Sequence, residues 1–392
     1  MQPRILFVGR GLPSGGHVST CWAIGQAVTQ KINSSVLFVS YGAGSTFLKF
    51  LGAACVDLPQ PAGAMFTHRT FPGWDLFELQ DYFGPIMDDF QPDLVVCDGE
   101  LYFPLYCKLR GIPCISIASP NYISLDFGPY EQYADLIAQL LNTSTVVLGY
   151  GASDCEPSAL LDASRLVMTS PPMKYDRAQL SAKSVREKYG FGEEDQIVLV
   201  YRGAGNISTP EFLSESKKII DIPVDLYLEH LQYVYPRMKL VLVSGTPVDI
   251  PAHKNIRFEN YVDFMELASA SSLVIARAGR NVMYEMAYLG VPSILVGIDS
   301  KTDLYRNCEI AEQWQIAWTL HATEMNPATL LAMIERAMLP GEAQRISQNG
   351  RAFVPENGTL AAVDKIVEIL ETQSLASKNA GGNHAKRKIA LV

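Results

Sequence analysis

One pattern constrains this chain more than any other: a strand-and-helix grammar that runs, stops and starts again. Short apolar runs bounded by glycine, proline or polar residues fall at 5–8, 36–39, 94–97 and 115–118, each with the length of a buried strand. Longer stretches at helical spacing separate them, at 18–30, 76–90, 101–110 and 130–141. Strands spaced by helices pair in parallel through right-handed crossovers, which predicts a doubly wound α/β layer. The run Met168-Thr169-Ser170-Pro171-Pro172-Met173 interrupts the pattern, because consecutive prolines favour extended chain. Strand-like runs resume at 197–201, 240–244, 273–276 and 294–297. The expectation is two similar α/β domains, at 1–170 and 196–372, joined by a linker over 171–195 and facing a cleft. A length of 392 residues agrees, since single cores stop growing near ~250–300 residues. Residues 373–392 turn Gly-, Asn- and Lys-rich and are expected to be disordered.

Composition narrows the function. With 48% hydrophobic and 19% charged residues, the chain is neither disordered nor fibrous. A formal net charge of −9 provides no dominant basic surface, so nucleic acid is not an expected partner and an anionic ligand must be met by a few placed donors. Seven cysteines without C-x-x-C spacing read as reduced core residues of a cytoplasmic protein. No uninterrupted apolar run reaches ~18 residues, which predicts a soluble chain with room for peripheral membrane contact, its oligomeric state left open between monomer and homodimer.

Two sets of glycine turns carry the chemistry. After the first strand come Gly9-Arg10-Gly11 and then Gly15-Gly16-His17, where small residues let backbone amides face a cleft at the carboxyl end of the sheet. The G-x-G-x-x-G dinucleotide spacing fails here, and no acid follows the second strand. His17 at such a turn can take a proton from an incoming hydroxyl, or simply cap and pack the turn. Asp98, at the end of the run 94–97, faces the same cleft and can orient His17, or N-cap the helix beginning near Leu101.

In the second domain, Gly203-Ala204-Gly205-Asn206 follows the first strand and permits close approach of an anion to backbone amides. Later, Arg277-Ala278-Gly279-Arg280-Asn281 opens a helix, and a helix N-terminus between two arginines is a phosphate site in physical terms, unless the arginines are solvated or pair with acids such as Glu285. Glu285 lies six residues after Gly279, where a carboxylate can accept both hydroxyls of a ribose. Aromatic clusters at Phe66, Phe71, Trp74, Phe77, Tyr82 and Phe83 and at Tyr122, Phe127, Tyr130 and Tyr133 suit a partly apolar acceptor or core packing.

The words Y-V-D-F-M at 261–265, R-A-G-R-N-V-M-Y-E at 277–285, L-G-V-P at 289–292 and D-L-Y-R-N at 303–307, with G-G-H at 15–17 in the first domain, resemble the nucleotide-sugar signature of GT-B glycosyltransferases. The resemblance is to the UDP-glycosyltransferases and the lipid-II-type N-acetylglucosaminyltransferases, and it covers most of the chain. It implies two tandem Rossmann-like domains and metal-independent transfer, with inversion, from a nucleotide-diphosphate sugar, UDP-linked by analogy, to a small-molecule or lipid-linked acceptor hydroxyl. No cofactor is implied beyond that co-substrate. By the resemblance, Val262 reads the base edge through its backbone and Glu285 holds the ribose. Gly203, Ala204, Gly205, Asn206, Arg277, Gly279, Arg280 and Asn281 surround the diphosphate, and Asp303 faces the sugar. His17 becomes the general base with Asp98 as its partner, beside Gly15 and Gly16 of the acceptor loop. The sequence departs from the signature at Leu304, where many relatives carry glutamine, and at Arg280, where they carry a small or aromatic residue. The same fold also serves nucleotide-sugar hydrolases, epimerases and catalytically silent partners of other transferases.

Overall fold

Buried apolar runs at both ends of the chain order it into two parallel sheets. A computed structural model describes residues 2–12, 15–61, 73–126, 128–201, 237–243, 255–259, 262–297, 303–321 and 323–379. In the first domain, strands β1 (Arg4–Gly9), β2 (Ser35–Ser40), β3 (Cys55–Asp57), β4 (Leu94–Asp98), β5 (Cys114–Ala118), β6 (Val146–Tyr150) and β7 (Leu166–Thr169) form one sheet in the order β3-β2-β1-β4-β5-β6-β7. Helices α1 (Gly16–Lys31), α2 (Gly42–Phe50), α3 (Leu76–Phe90), α4 (Phe103–Leu109), α5 (Pro120–Ser124), α6 (Gly128–Gln132) and α7 (Ala134–Leu141) make its connections. Ile5, Leu6, Phe7 and Val8 of β1 are wholly buried, as a central strand covered on both faces requires. Each such side chain contributes roughly 1.5–3 kcal/mol relative to exposure.

Helix α8 (Ala182–Tyr189) leads into the second sheet, ordered β10-β9-β8-β11-β12-β13. Its strands are β8 (Gln196–Tyr201), β9 (Met238–Val243), β10 (Ile256–Glu259), β11 (Leu273–Arg277), β12 (Ser293–Gly297) and β13 (Trp318–His321). Its helices are α9 (Phe264–Ser269), α10 (Arg280–Leu289), α11 (Asp303–Gln313), α12 (Pro327–Ala337) and α13 (Pro340–Phe353), before the final α14 (Thr359–Asn379). Among the described residues every strand pairing is parallel, and both sheets reverse direction of growth at their first strand. That reversal opens a crevice at the carboxyl ends of β1 and β4 in one domain and of β8 and β11 in the other, where ligands of open α/β sheets bind.

Two details differ from the sequence reading. The stretch 373–392 is not irregular from its start: α14 continues through Asn379, because no glycine or proline interrupts it before Gly381. Nor does α14 stay with the second domain. It packs on α1, with Lys31 ion-paired to Asp364. The chain returns over a tight crossing in which the Gly358 amide donates to Pro171 O at 3.1 Å and Asn357 Oδ1 accepts from the Met173 amide at 2.9 Å. A Cβ at Gly358 would lie 1.7 Å from the Ser170 carbonyl oxygen, so glycine is required there. No described helix is long and apolar enough to cross a membrane.

Candidate active site

The register of β1 against β4 places Gly9 opposite Asp98 at the switch point of the first sheet. The turn after β1 delivers His17 to the start of α1, so two residues far apart in sequence converge. His17 Nδ1 donates to Asp98 Oδ1 at 2.6 Å, with His17 21% exposed and Asp98 fully buried. Helix α4 begins only at Phe103, and Asp98 does not cap it. Burial holds the Asp98 carboxyl above its ordinary range, against the opposing pull of His17 and Arg10. With Nδ1 engaged, Nε2 is the imidazole nitrogen left to accept a proton.

Gly99 makes this arrangement possible. Its φ of +85° is a conformation side chains disfavour, and a Cβ there would meet Arg10 Cβ at 2.8 Å and the His17 ring at 3.1 Å. Behind the dyad, buried Arg10 donates to Tyr122 Oη at 3.3 Å and lies beside Glu100, which accepts from Tyr41 Oη at 2.9 Å. Burial raises the Glu100 carboxyl while Arg10 pulls it back down.

A cavity of about 250 Å³ lies between the domains, with His17 on one wall and Arg277, Gly279, Arg280 and Glu285 on the other. The α10 N-terminus opens onto it, and its first N–H groups lack intrahelical acceptors. Arg280 is ion-paired with buried Asp154 of the first domain, which also accepts from Tyr284 Oη at 3.0 Å; Arg280 Nε has no partner among the described residues. Asn281 Nδ2 donates to Gly16 O at 3.0 Å and to Thr20 Oγ1 at 3.3 Å, and Asn281 Oδ1 accepts from Tyr150 Oη at 3.1 Å.

Deeper on the second-domain wall, Tyr201 and Phe264 stack with centroids 4.1 Å apart. Lys174 ion-pairs with Asp263, which also accepts from Tyr175 Oη at 2.6 Å. Glu285 sits among these groups. Burial, reinforced by nearby Asp263 and opposed by Lys174, pushes its carboxyl up to about 8. Asp303 lines the cavity at the start of α11, raised by burial against the pull of Arg280 and His17.

Known proteins show where this arrangement belongs. Residues 237–358 match the glycosyltransferase family 28 C-terminal domain. The chain is 32% identical over 295 residues to the UDP-N-acetylglucosamine--N-acetylmuramyl-(pentapeptide) pyrophosphoryl-undecaprenol N-acetylglucosamine transferase of an Exiguobacterium species, covering 73% of this chain and 76% of that one. The chain belongs to this glycosyltransferase family. As such it is an inverting glycosyltransferase. Among solved structures, the glycotransferase of kitacinnamycin matches with a TM-score of 0.65 at 18% identity, covering 94% of this chain and 100% of that one. Acinetobacter baumannii MurG matches with a TM-score of 0.59 at 16% identity, covering 93% and 99%. These likenesses carry the fold, two Rossmann-like domains of the GT-B kind.

Within this glycosyltransferase the structure brings Gly15, Gly16, His17, Arg277, Gly279, Arg280, Asn281, Glu285 and Asp303 to one cavity, with Asp98 directly behind His17. Val262 is buried at the foot of α9 beside the lining residue Asp263. Gly203, Ala204, Gly205 and Asn206 lie outside the described residues, as do Phe66, Phe71 and Phe127. Of the expected acceptor aromatics, Trp74 and Phe83 are core, packed edge-on with Tyr41 and Phe103, whereas Tyr122 and Tyr130 line the cavity. Sequence reasoning missed Lys174, Tyr201, Phe264 and Asp154. Phe264 stands inside the Y-V-D-F-M word, which could have marked it; Asp154 has no local signal.

Proposed function

We propose that the protein transfers a sugar from a UDP-linked donor to an acceptor hydroxyl, small-molecule or lipid-linked, with His17 as general base and without a metal ion. The acceptor hydroxyl gives its proton to His17 Nε2 as its oxygen attacks the anomeric carbon from the face opposite the diphosphate. The bond to the diphosphate breaks, its electron pair leaves with the phosphate oxygen, and Asp98 stabilises the imidazolium. The leaving charge meets the α10 N-terminus, Arg277 and Arg280 Nε, which has no partner among the described residues, preset donors that need little reorganisation. Glu285 holds the ribose, the backbone at Val262 reads the base edge and Asp303 faces the sugar, while Gly203, Ala204, Gly205 and Asn206, outside the described residues, are assigned to the diphosphate by the family resemblance alone. The uridine is supported by relatives whose names specify UDP-N-acetylglucosamine.

The observation that carries this reading is the 2.6 Å His17–Asp98 bond on the wall facing the α10 N-terminus. Calorimetry with UDP, dTDP and GDP tests the donor assignment, with UDP expected to bind most tightly. Proton NMR of the product from an α-linked donor tests the stereochemistry, with a β-linked product expected.

A further inference from the structure

Behind the His17–Asp98 pair lies a second buried acid that the transfer step does not touch. Glu100 stands just beyond the end of β4 and is 3% exposed. Tyr41 Oη donates to Glu100 Oε1 at 2.9 Å, and the Trp74 backbone N–H adds a further hydrogen bond. A Cβ at Gly73, where φ is +106°, would lie 2.6 Å from Glu100 Oε2, so backbone covers the carboxylate where a side chain would not fit. Buried Arg10 is held beside both acids, its amide donating to Asp98 O at 2.9 Å and its guanidinium to Tyr122 Oη at 3.3 Å.

Arg10 reaches the two carboxylates unequally. Burial raises Glu100, and Arg10 is the largest pull against it; burial raises Asp98 too, but there the opposing pull comes first from His17 and last from Arg10. The guanidinium is thus matched chiefly to Glu100, and Asp98 keeps its charge for the imidazole. A carboxylate already neutralised by a guanidinium would gain little from an imidazolium, so this division matters to a base that must carry a proton as the new bond forms. Other ionisable groups facing the cluster leave the balance alone. Burial raises Cys21 of α1, Tyr122 of α5 and Tyr150 of β6, as it does Tyr41 and Tyr130 beside Arg10, and keeps them all neutral. Asp303 of α11 acts on His17 from the second domain.

We propose that Glu100 is a positioning residue for the transfer step: by engaging the Arg10 guanidinium it leaves Asp98 the anionic partner that His17 needs when it takes the acceptor's proton. This rests on the general-base reading above and adds two residues, Arg10 and Glu100, that never meet the substrate.

Glu100→Gln tests it, because glutamine keeps the shape and can still accept from Tyr41 while losing the charge. Arg10 then turns to Asp98 in place of Glu100. The pH midpoint at which the His17–Asp98 pair takes up a proton, read by NMR of the full chain labelled with 15N-histidine and assigned against His17→Ala, is expected to fall by about one pH unit. Transfer from UDP-N-acetylglucosamine to a short-chain polyprenyl-diphosphate N-acetylmuramoyl pentapeptide should lose about tenfold in kcat, with the UDP Kd within twofold of wild type. Arg10→Met combined with Glu100→Gln removes both charges and is expected to bring the midpoint back toward that of wild type. An unmoved midpoint in Glu100→Gln overturns the inference whether or not kcat falls, and so does a folded double variant whose midpoint stays with the single. Full turnover by His17→Ala instead overturns the general-base reading, so the two failures are distinguishable.

Discussion

The side-chain amide of Asn281, in the first turn of the second-domain helix α10, donates to the carbonyl of Gly16 at 3.0 Å, in the turn that presents His17. One side chain thus couples the α10 N-terminus to the position of the candidate base. A direct diphosphate contact and a tether between domains predict different kinetics. If the side chain acts as a tether, Asn281→Ala lowers kcat about tenfold and leaves the UDP Kd within twofold. A UDP Kd weakened tenfold with kcat preserved would return the side chain to the diphosphate.

The Arg280–Asp154 pair is buried and joins the two domains. Removing one partner of such a pair strands a charge, so Arg280→Met is expected to cost about 3–5 kcal/mol in urea unfolding. Arg280→Met combined with Asp154→Leu should recover most of that loss, because hydrophobic replacement of both ends removes the stranded charge. A double variant no more stable than the single would show that the loss comes from elsewhere.

Glu285 links stability to pH. Its folded carboxyl lies near 8 against an ordinary value of 4.5, so between these values the folded protein binds more protons than the unfolded chain. The stabilisation from this group is fully present below about 4.5 and declines as pH rises through 8. Glu285→Gln, which cannot ionise, should therefore melt higher than wild type at pH 8.5, with the gap closing toward pH 5. Parallel melting curves across that range would contradict the assignment.

Gly99→Ala tests the geometry behind the dyad. The left-handed backbone and the approach to Arg10 and His17 together predict a folded protein destabilised by roughly 1–3 kcal/mol, with His17 displaced. Transfer should fall more than tenfold. An unchanged rate would mean that His17 tolerates movement.

Much of this architecture is legible in the amino-acid order, for physical reasons visible at particular residues. His17 follows the buried strand β1 and Asp98 ends the buried strand β4, and a doubly wound sheet makes those strands neighbours. Arg277, Gly279 and Glu285 lie within one strand-turn-helix unit, where local spacing fixes relative position. Asp154 is different: it sits in a loop without periodicity, and its partner Arg280 is 126 residues away. Contacts of that kind arise from domain packing, which local patterns do not encode. Strands β3 and β7 escape sequence reading because they are short, half-exposed edges without a buried apolar run. Met168 and Thr169, which open the proline-containing run that interrupts the pattern, are the end of β7.

In the proposed mechanism His17 performs proton transfer on a donor site it does not build. His17→Ala, assayed for sugar transfer and for UDP binding by calorimetry in the same preparation, addresses it most directly. In His17→Ala, kcat is expected to fall at least ~100-fold while the UDP Kd stays within twofold. Full turnover by His17→Ala would remove the imidazole from the mechanism.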